Sequence, residues 1–210
     1  TMSQVADEDV TVSIATAGTA VEGTDYSTIS DITVSAGSTT GTASFTPTDD
    51  NVFEADETAI VSISSVSGAD ATESGTQSET ITISADGDTA PSVTLTTSAT
   101  SMDENAGTSL TLTATLSNPT NADVTVSLST GGTGTEGPDY STISDITISE
   151  GSTTGTVSFT PTDDSGYEGN ETAIVSISGV SGGSSTESGT QAVPININET
   201  YSAQPETLTT

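Results

Sequence analysis

The sequence predicts an all-β protein with two tandem immunoglobulin-like β-sandwiches, of which the first lacks its N-terminal strand or strands. Three features support this prediction. Apolar residues alternate with Ser and Thr in short runs, no stretch has helical periodicity, and the chain repeats itself at a fixed interval. Alternation with a period of two marks half-buried strands, and about seven short strands in roughly 110 residues are typical of a β-sandwich.

The interval of the repeat is 114 residues, the separation between EGTDYSTISDIT at Glu22 and EGPDYSTISDIT at Glu136. FTPTDD likewise begins at Phe45 and again at Phe159. The two copies align without a gap, which predicts a window on a periodic array. We predict a truncated repeat over residues 1–88 and a complete repeat over 89–199. Residues 200–210 then begin a further repeat or form a tail that donates a strand to a neighbour.

Apolar alternation within the complete repeat predicts seven strands in order along the chain. Their core-facing residues are Val93 and Leu95; Leu110, Leu112, Ala114 and Leu116; Val124, Val126 and Leu128; Ile146 and Ile148; Val157 and Phe159; Ala173, Val175 and Ile177; and Val193, Ile195 and Ile197. Asn118-Pro119 predicts a turn, and the glycine-rich residues 131–137 predict a flexible connection. Tyr26 and Tyr140 follow aspartates at loop-to-strand corners and are predicted to be buried anchors.

The composition restricts the possible functions. The chain carries 30 Asp and Glu residues, no Lys, Arg or His, and a formal net charge of −30. Nucleic acid and anionic membranes are therefore repelled, and no segment is long and apolar enough to insert into a membrane. Self-repulsion of this size is relieved by salt or by bound divalent ions, which favours a salt-rich extracellular environment.

Two acidic segments offer a site for such an ion. They are Pro47–Thr58, PTDDNVFEADET, and Pro161–Thr172, PTDDSGYEGNET. Carboxylates crowded in this way repel one another, and the protein supplies no basic side chain to neutralise them. Zinc and copper favour His or Cys, both absent here. Calcium takes six to eight oxygen ligands in tolerant geometry, whereas magnesium prefers to keep its waters. Calcium is therefore the predicted ion.

These segments, with G-x-D-Y at Gly23–Tyr26 and Gly137–Tyr140 and with Met102-Asp103-Glu104-Asn105, resemble the Calx-β domain. That family occurs in sodium–calcium exchangers and in large bacterial surface proteins. The resemblance covers nearly the whole chain, in one truncated and one complete copy. It implies an immunoglobulin-like sandwich that binds calcium through loops at one end.

The resemblance also implies the ligands, which are carboxylates and two backbone carbonyl groups. In the first repeat these are Asp25, Asp49, Asp50, Val52, Glu54, Glu57, Asp86 and Asp88. In the second they are Glu104, Asp139, Asp163, Asp164, Gly166, Glu168, Glu171 and Glu199. The linker acids Asp86 and Asp88 predict that the first site lies at a junction between repeats. The first repeat lacks a counterpart of Glu104, and the second has Thr200 and Ser202 where the linker acids would fall.

The leading functional hypothesis is a calcium-rigidified extender repeat of a long secreted or surface-attached bacterial protein, an adhesin or a fibre, whose partners are neighbouring repeats. The alternative is a self-assembling extracellular filament subunit, in which identical subunits complete one another's sandwiches with a terminal strand such as Pro205–Thr210. A third hypothesis is a calcium-sensing regulatory module. An enzyme is not expected, because the chain has no His, Lys, Cys or Arg to serve as base, nucleophile or oxyanion stabiliser.

Overall fold

The computed structural model describes residues 1–85 and 87–201, and these form two compact units. The first unit comprises Thr1–Asp50 and Glu54–Gly87, and the second comprises Asn51–Phe53 and the chain from Asp88 onward. Every helix or strand among the described residues is a β-strand, which confirms the all-β prediction. None of the described residues forms a helix long and apolar enough to cross a membrane. The predicted tail Pro205–Thr210 lies outside the described residues.

The first unit forms a single sheet in its described residues. Its strands are β1 (Val10–Gly18), β2 (Ile32–Val34), β3 (Glu57–Ser67) and β4 (Ser78–Ile83). They lie in the order β2-β1-β3-β4, and all neighbours are antiparallel. β-Branched residues at alternate positions give each strand one apolar face, because successive side chains point to opposite sides of a sheet.

The second unit is a complete β-sandwich. Its strands are β5 (Ser92–Thr97), β6 (Ser101–Asp103), β7 (Leu110–Leu116), β8 (Val124–Gly132), β9 (Ile146–Ile148), β10 (Thr154–Phe159), β11 (Glu171–Ser181), β12 (Thr186–Glu187) and β13 (Ala192–Asn198). One sheet has the order β10-β7-β5-β12 and the other has the order β6-β13-β11-β8-β9. Two pairs are parallel: β6 beside β13 and β12 beside β5.

All seven strands predicted from apolar alternation occur in the second unit, whereas β6 and β12 are too short for periodicity to predict them. The glycine-rich connection is shorter than predicted, because Gly131 and Gly132 belong to β8 and pair with Ile174 and Ala173 of β11. Gly132 has a φ of 108°, and a Cβ there would lie 2.1 Å from the carbonyl oxygen of Thr172. Only glycine fits this close approach.

The two units differ in how completely their apolar sheet face is covered. In the second unit the face of β8, β9, β11 and β13 packs against the other sheet, and most of its side chains are buried. The first unit is the one that lacks strands, as predicted, and its described residues form no second sheet over the corresponding face. Val10, Val34 and Ala59 are buried there, but several other side chains on this face are only half-buried. The pairs at equivalent positions, buried against half-buried, are Val126 and Val12, Ile146 and Ile32, Val175 and Val61, and Ile195 and Ile81.

Both predicted tyrosine anchors are buried. Tyr26 and Tyr140 are each 1% exposed. Tyr26 stacks on Phe45 at a ring-centroid distance of 4.7 Å, and Tyr140 stacks on Phe159 at 4.9 Å. The phenylalanines differ, since Phe159 lies in β10 beside β7 and is fully buried. Residues 40–45 of the first unit form no strand, and Phe45 is half-buried.

Several acids outside the acidic segments accept hydrogen bonds from backbone amides and from hydroxyl groups. Asp145 accepts from the Ser127 hydroxyl at 2.9 Å and from the Leu128 amide at 3.2 Å, beside an irregularity in the pairing of β8 with β11. Asp31 makes the same two contacts in the first unit, with Ser13 and Ile14. The chain has no Lys, Arg or His, so amide and hydroxyl groups donate the hydrogen bonds that hold these carboxylates in place.

Candidate metal sites

Each unit contains a cluster of three carboxylates that offers oxygens within 4.8 Å of one another. The members are Asp25, Glu54 and Glu57 in the first unit, and Asp139, Glu168 and Glu171 in the second. The two clusters occupy equivalent positions of the repeat. All six residues belong to the ligand set that the sequence predicted.

The aspartate of each cluster is fixed by a tight turn and by the buried tyrosine that follows it. In the second unit the Asp139 amide donates to the Thr135 carbonyl at 3.0 Å, and the Thr135 amide donates back to Asp139 Oδ2. The Asp139 carbonyl accepts from the Thr162 amide at 2.9 Å, which joins this turn to the second acidic segment. Asp25 makes the corresponding contacts with Val21 and Thr48.

The glutamates of each cluster come from the start of a central strand. Glu57 is the first residue of β3 and Glu171 the first of β11. Glu54 and Glu168 stand three residues earlier, in the connection that leads into the strand. Strand pairing therefore fixes one glutamate of each cluster, and the preceding connection places the other.

Two further carboxylates line the cleft of the second unit. The complete lining is Glu104, Asp139, Thr162, Glu168, Gly169, Glu171, Ile197 and Glu199. Glu104 is 8% exposed and follows β6 directly. Its amide donates to the Asn198 carbonyl at 3.0 Å, and its Oε1 accepts from the Asp164 amide at 3.2 Å. The parallel pairing of β6 with β13 thus delivers a buried carboxylate to the cleft.

Glu199 is fixed by the backbone around it. Its Oε2 accepts from the Glu168 amide at 2.7 Å and its Oε1 from the Tyr201 amide at 2.7 Å. The Glu199 amide donates to Asn170 Oδ1 at 3.0 Å. These bonds bring the end of the repeat to the second acidic segment. Backbone donation by Glu168, followed by that of Tyr201, lowers the pKa of Glu199 below its ordinary value.

The cleft of the first unit is wider and contains fewer carboxylates. Its volume is about 120 Å³, and its lining is Pro47, Thr48, Asp49, Glu54, Ala55, Glu57, Ile83, Ser84 and Ala85. The predicted ligand Asp49 therefore lies beside Glu54 and Glu57. None of the described residues that line this cleft corresponds to Glu104 of the second cleft.

The remaining predicted ligands lie outside the two clusters. In the second unit Asp163 and Asp164 are exposed, and Asp164 Oδ1 accepts from the Gly166 amide at 2.6 Å. In the first acidic segment Asp50 is exposed and Val52 lies in Asn51–Phe53, which belongs to the second unit.

The two linker acids are placed differently by the structure. Asp88 is half-buried at the start of the second unit. Asp86 lies outside the described residues. The predictions that these acids and the Val52 and Gly166 carbonyl groups bind the ion therefore stay predictions.

Mutual repulsion and burial raise the pKa values of the glutamates in the clusters. Burial, followed by the charge of Asp25, raises the pKa of Glu57 to about 7. Burial, followed by the charge of Asp139, raises the pKa of Glu171 to about 6. Burial also raises the pKa of Glu104, and the charges of Asp164 and Asp139 raise that of Glu168. The metal-free sites therefore resist full ionisation near neutral pH.

The donor set and its spacing fit calcium. A calcium ion holds oxygens at 2.3–2.6 Å, so opposite ligands stand about 4.6–5.2 Å apart. The clustered oxygens lie within 4.8 Å of one another, a spacing that one such ion can span. The cleft of the second unit has a volume of only about 10 Å³, roughly room for one water-sized particle. It suits an ion and is too small for an organic ligand.

Without calcium, the stability of the protein is expected to fall as the pH rises from about 4.5 to 7. Glu57 and Glu171 have raised pKa values in the folded chain, so the folded state holds more protons than the unfolded state in this range, and raising the pH favours unfolding. We expect a loss of about 1–2 kcal/mol, less than the full shifts imply because both side chains are half-exposed.

Urea unfolding in EDTA at several pH values, at constant ionic strength, measures this loss. Saturating calcium should reverse the trend, since the ion favours the ionised carboxylates. A metal-free stability that rises steadily from pH 4.5 to 7 would contradict the prediction.

Sequence reasoning missed two positions around the sites. Thr48 and Thr162 belong to the Pro-Thr-Asp-Asp motif and line the clefts. Only the aspartates of this motif were predicted to be ligands. Asp56 and Asn170 occupy equivalent positions, and each presents Oδ1 to a backbone amide, of Ala85 and Glu199 respectively. The sequence did contain a signal for this role. Asp and Asn alternate at the same place in the repeat, and both offer an Oδ1 acceptor.

Comparison with known proteins gives a family match for each part of the chain. Residues 1–87 match the Calx-beta domain, which confirms the predicted resemblance there. Among solved structures, the crystal structure of CBD12 from CALX1.2 is 17% identical, with a TM-score of 0.39 over 93% of this chain and 90% of that chain. The crystal structure of calcium binding domain CBD12 of CALX1.1 is 16% identical, with a TM-score of 0.31 over 80% of this chain and 68% of that one.

A comparison with curated proteins gave no match. The other family match covers residues 88–200, which include the whole of the second sandwich, and it is to the LapA domain. Since these residues make up more than half of the sequence, the chain belongs to the LapA domain family.

Proposed function

We propose that the chain is a calcium-stabilised structural repeat of a long extracellular surface protein, an adhesin or a fibre. The observation that supports this most directly is the recurrence of one carboxylate cluster at equivalent positions in both units. A chain with a net charge of −30 and no basic side chain gains most from a divalent ion where its carboxylates converge.

The residues of the chain would hold calcium through oxygen atoms alone. Glu104, Asp139, Glu168, Glu171 and Glu199 surround the second cleft, and the fixed positions of Glu104 and Glu199 reduce the ordering cost of binding. The bound ion would supply positive charge that offsets the repulsion among these groups. Its effect is structural, because it favours the folded state to which it binds.

An extracellular location fits both the site and the family matches. Extracellular calcium modules work with dissociation constants of roughly 0.1–1 mM, so even a weak site is filled at the calcium concentrations outside cells. The matches to the Calx-beta and LapA domains support a surface protein, and we propose neighbouring repeats as its partners. The absence of His, Lys, Cys and Arg favours a structural role over an enzymatic one.

Calcium is expected to raise the melting temperature of the full chain. An ion that binds only the folded state adds about 2.7 kcal/mol at a hundredfold excess over its dissociation constant. Calorimetric titration with calcium, together with thermal unfolding in calcium and in EDTA, measures both effects. Magnesium at the same concentration and ionic strength is the control for screening of the net charge.

Two results would contradict the proposed function. One is calcium titration without detectable binding. The other is a melting temperature that rises equally in calcium and in magnesium, since that would show screening rather than a site. The double variant Glu57→Gln with Glu171→Gln should lose most of the effect that is specific to calcium.

A further inference from the structure

The segment Asn51–Phe53 belongs to the second unit, although it lies inside the first acidic segment of the sequence. Phe53 forms a parallel bridge with Thr120, and its amide donates to the Pro119 carbonyl at 2.9 Å. The Phe53 carbonyl accepts from the Asn121 amide at 3.4 Å. Backbone hydrogen bonds therefore join three residues of an acidic segment to a turn of the sandwich that comes later in the chain.

The turn that receives this segment, residues 118–121, is fixed by contacts of its own. Thr120 is 1% exposed, and its Oγ1 donates to the Ala122 carbonyl at 2.6 Å. The Thr120 carbonyl accepts from the Gly151 amide at 2.9 Å. A surface that already has its binding conformation loses little freedom when a partner associates with it.

The turn is a constant feature of the repeat. In the first unit Ala6 stands at the position of Thr120, and Gly37 stands at the position of Gly151. The Ala6 carbonyl accepts from the Gly37 amide at 2.8 Å, which is the same contact. Any further repeat with this period is therefore expected to present such a turn.

Residues 165–167 stand 114 positions after Asn51–Phe53, in the second acidic segment. Tyr167 keeps the aromatic character of Phe53, but it is 58% exposed and belongs to no strand or bridge among the described residues. The other two residues of the segment differ between the copies, and backbone pairing tolerates such differences because it uses main-chain groups. One exposed ring is ordinary on a protein surface, so the position of Tyr167 in the repeat is what makes it informative.

Contacts on both sides hold residues 165–167 in place. Asp164 Oδ1 accepts from the Gly166 amide at 2.6 Å, and the Glu168 amide donates to Glu199 Oε2 at 2.7 Å. The segment itself carries no charge, and neither do residues 117–122 around the turn. In a chain with a net charge of −30, two uncharged surfaces can meet without adding to the repulsion.

We propose that residues 165–167 dock on the turn of a following repeat, as Asn51–Phe53 docks on residues 118–121. The Tyr167 amide donates to the carbonyl at the position of Pro119, and the Tyr167 carbonyl accepts from the amide at the position of Asn121. The partner is an uncharged turn of the Asn-Pro-Thr-Asn type. This choice of partner rests on the proposed function, which supplies neighbouring repeats, whereas the contact itself requires no calcium.

The experiment extends the full chain in register by one repeat. Residues 91–210 are joined again after Gln204, because Pro205 stands 114 positions after Pro91. The extended chain then contains Tyr167 twice, and the copy in the last repeat is an internal control. Nitrogen-15 labelling of tyrosine keeps the spectrum simple, since the full chain has four tyrosines. Amide hydrogen exchange measured by NMR reports the protection of each tyrosine.

The amide of the first Tyr167 should exchange at least about tenfold more slowly than that of the last Tyr167 and that of the unextended chain. In the added repeat, Asn121→Pro removes the amide that bonds the tyrosine carbonyl and should abolish most of this difference. Asn121→Ala keeps the amide and should preserve the difference. Equal exchange at the two Tyr167 amides overturns the proposal, whether or not Asn121→Pro disturbs its turn. Equal exchange in the Pro and Ala variants also overturns it.

Failure of the proposed function would look different. If calorimetry detects no calcium binding while the first Tyr167 amide stays protected in EDTA, the docking stands and the calcium role is wrong. If calcium binds but the two Tyr167 amides exchange alike in calcium and in EDTA, the docking is wrong and the calcium-stabilised repeat stands.

Discussion

Glu171→Gln is expected to weaken calcium binding by the second unit at least about tenfold while making the calcium-free chain more stable. Glu171 belongs to the cluster with Asp139 and Glu168, and its position is fixed by β11. Losses of 10–100-fold are typical even for residues that only support metal ligands. Removing one of the clustered carboxylates should cost at least that much affinity.

The same substitution should stabilise the calcium-free chain, because without the ion the charged Glu171 carboxylate destabilises the folded state. Burial and the charge of Asp139 raise the pKa of Glu171 to about 6, so ionising it at pH 7.5 opposes folding. Glutamine keeps the shape and removes the charge. We expect a gain of about 1 kcal/mol, reduced from the full shift because the side chain is half-exposed. Glu57→Gln should act in the same direction and more strongly, since the pKa of Glu57 reaches about 7.

Calorimetric calcium titration and urea unfolding in EDTA measure the two effects on the same preparations. Glu150→Gln is the matched control, because Glu150 is an exposed acid outside the clusters and its counterpart in the first unit is Ala36. That variant removes one unit of net charge without altering either site. Equal effects of Glu150→Gln and Glu171→Gln would assign the result to the net charge and refute a local site.

The sequence alone was sufficient to predict the strands that show local periodicity and the clusters that recur with the interval of the repeat. β7, with Leu110, Leu112 and Leu116 on one face, is an example of the first. Asp25 and Asp139 exemplify the second, since each stands in a copy of the same Gly-x-Asp-Tyr motif. Both kinds of signal are contained in short stretches of chain, where spacing determines which face a side chain occupies.

Long-range pairing could not be predicted in this way. β6 is three residues long and pairs with β13, more than ninety residues later. The family resemblance named Glu104 as a ligand, but no local pattern indicates that this pairing places it in the cleft. Asp164 shows the same limit at the site itself, because one of its carboxylate oxygens accepts from the Gly166 amide. Which oxygens face the ion and which satisfy the backbone depends on tertiary hydrogen bonds that spacing does not specify.

Phe159→Ala is expected to destabilise the second unit by about 3–5 kcal/mol, the usual cost of deleting a fully buried aromatic ring. Phe159 is 0% exposed, lies in β10 and stacks on Tyr140. The truncation leaves a cavity beneath Tyr140, between two sheets that are each held in place by strand pairing. Phe159→Leu is the control that keeps most of the volume, and it should lose mainly the ring stacking, about 0.5–1.5 kcal/mol.

Phe45→Ala should destabilise the first unit by less than half as much as Phe159→Ala destabilises the second. This difference tests whether the first core is open. Phe45 stacks on Tyr26 but is half-buried, and residues 40–45 have no strand partner in the described part of the chain. Its ring already meets water, so truncation removes less buried area and lets solvent fill the gap. Native-state hydrogen exchange of β3 and β11 amides assigns each loss to its unit. Equal losses for the two phenylalanines would mean that the first core is as closed as the second.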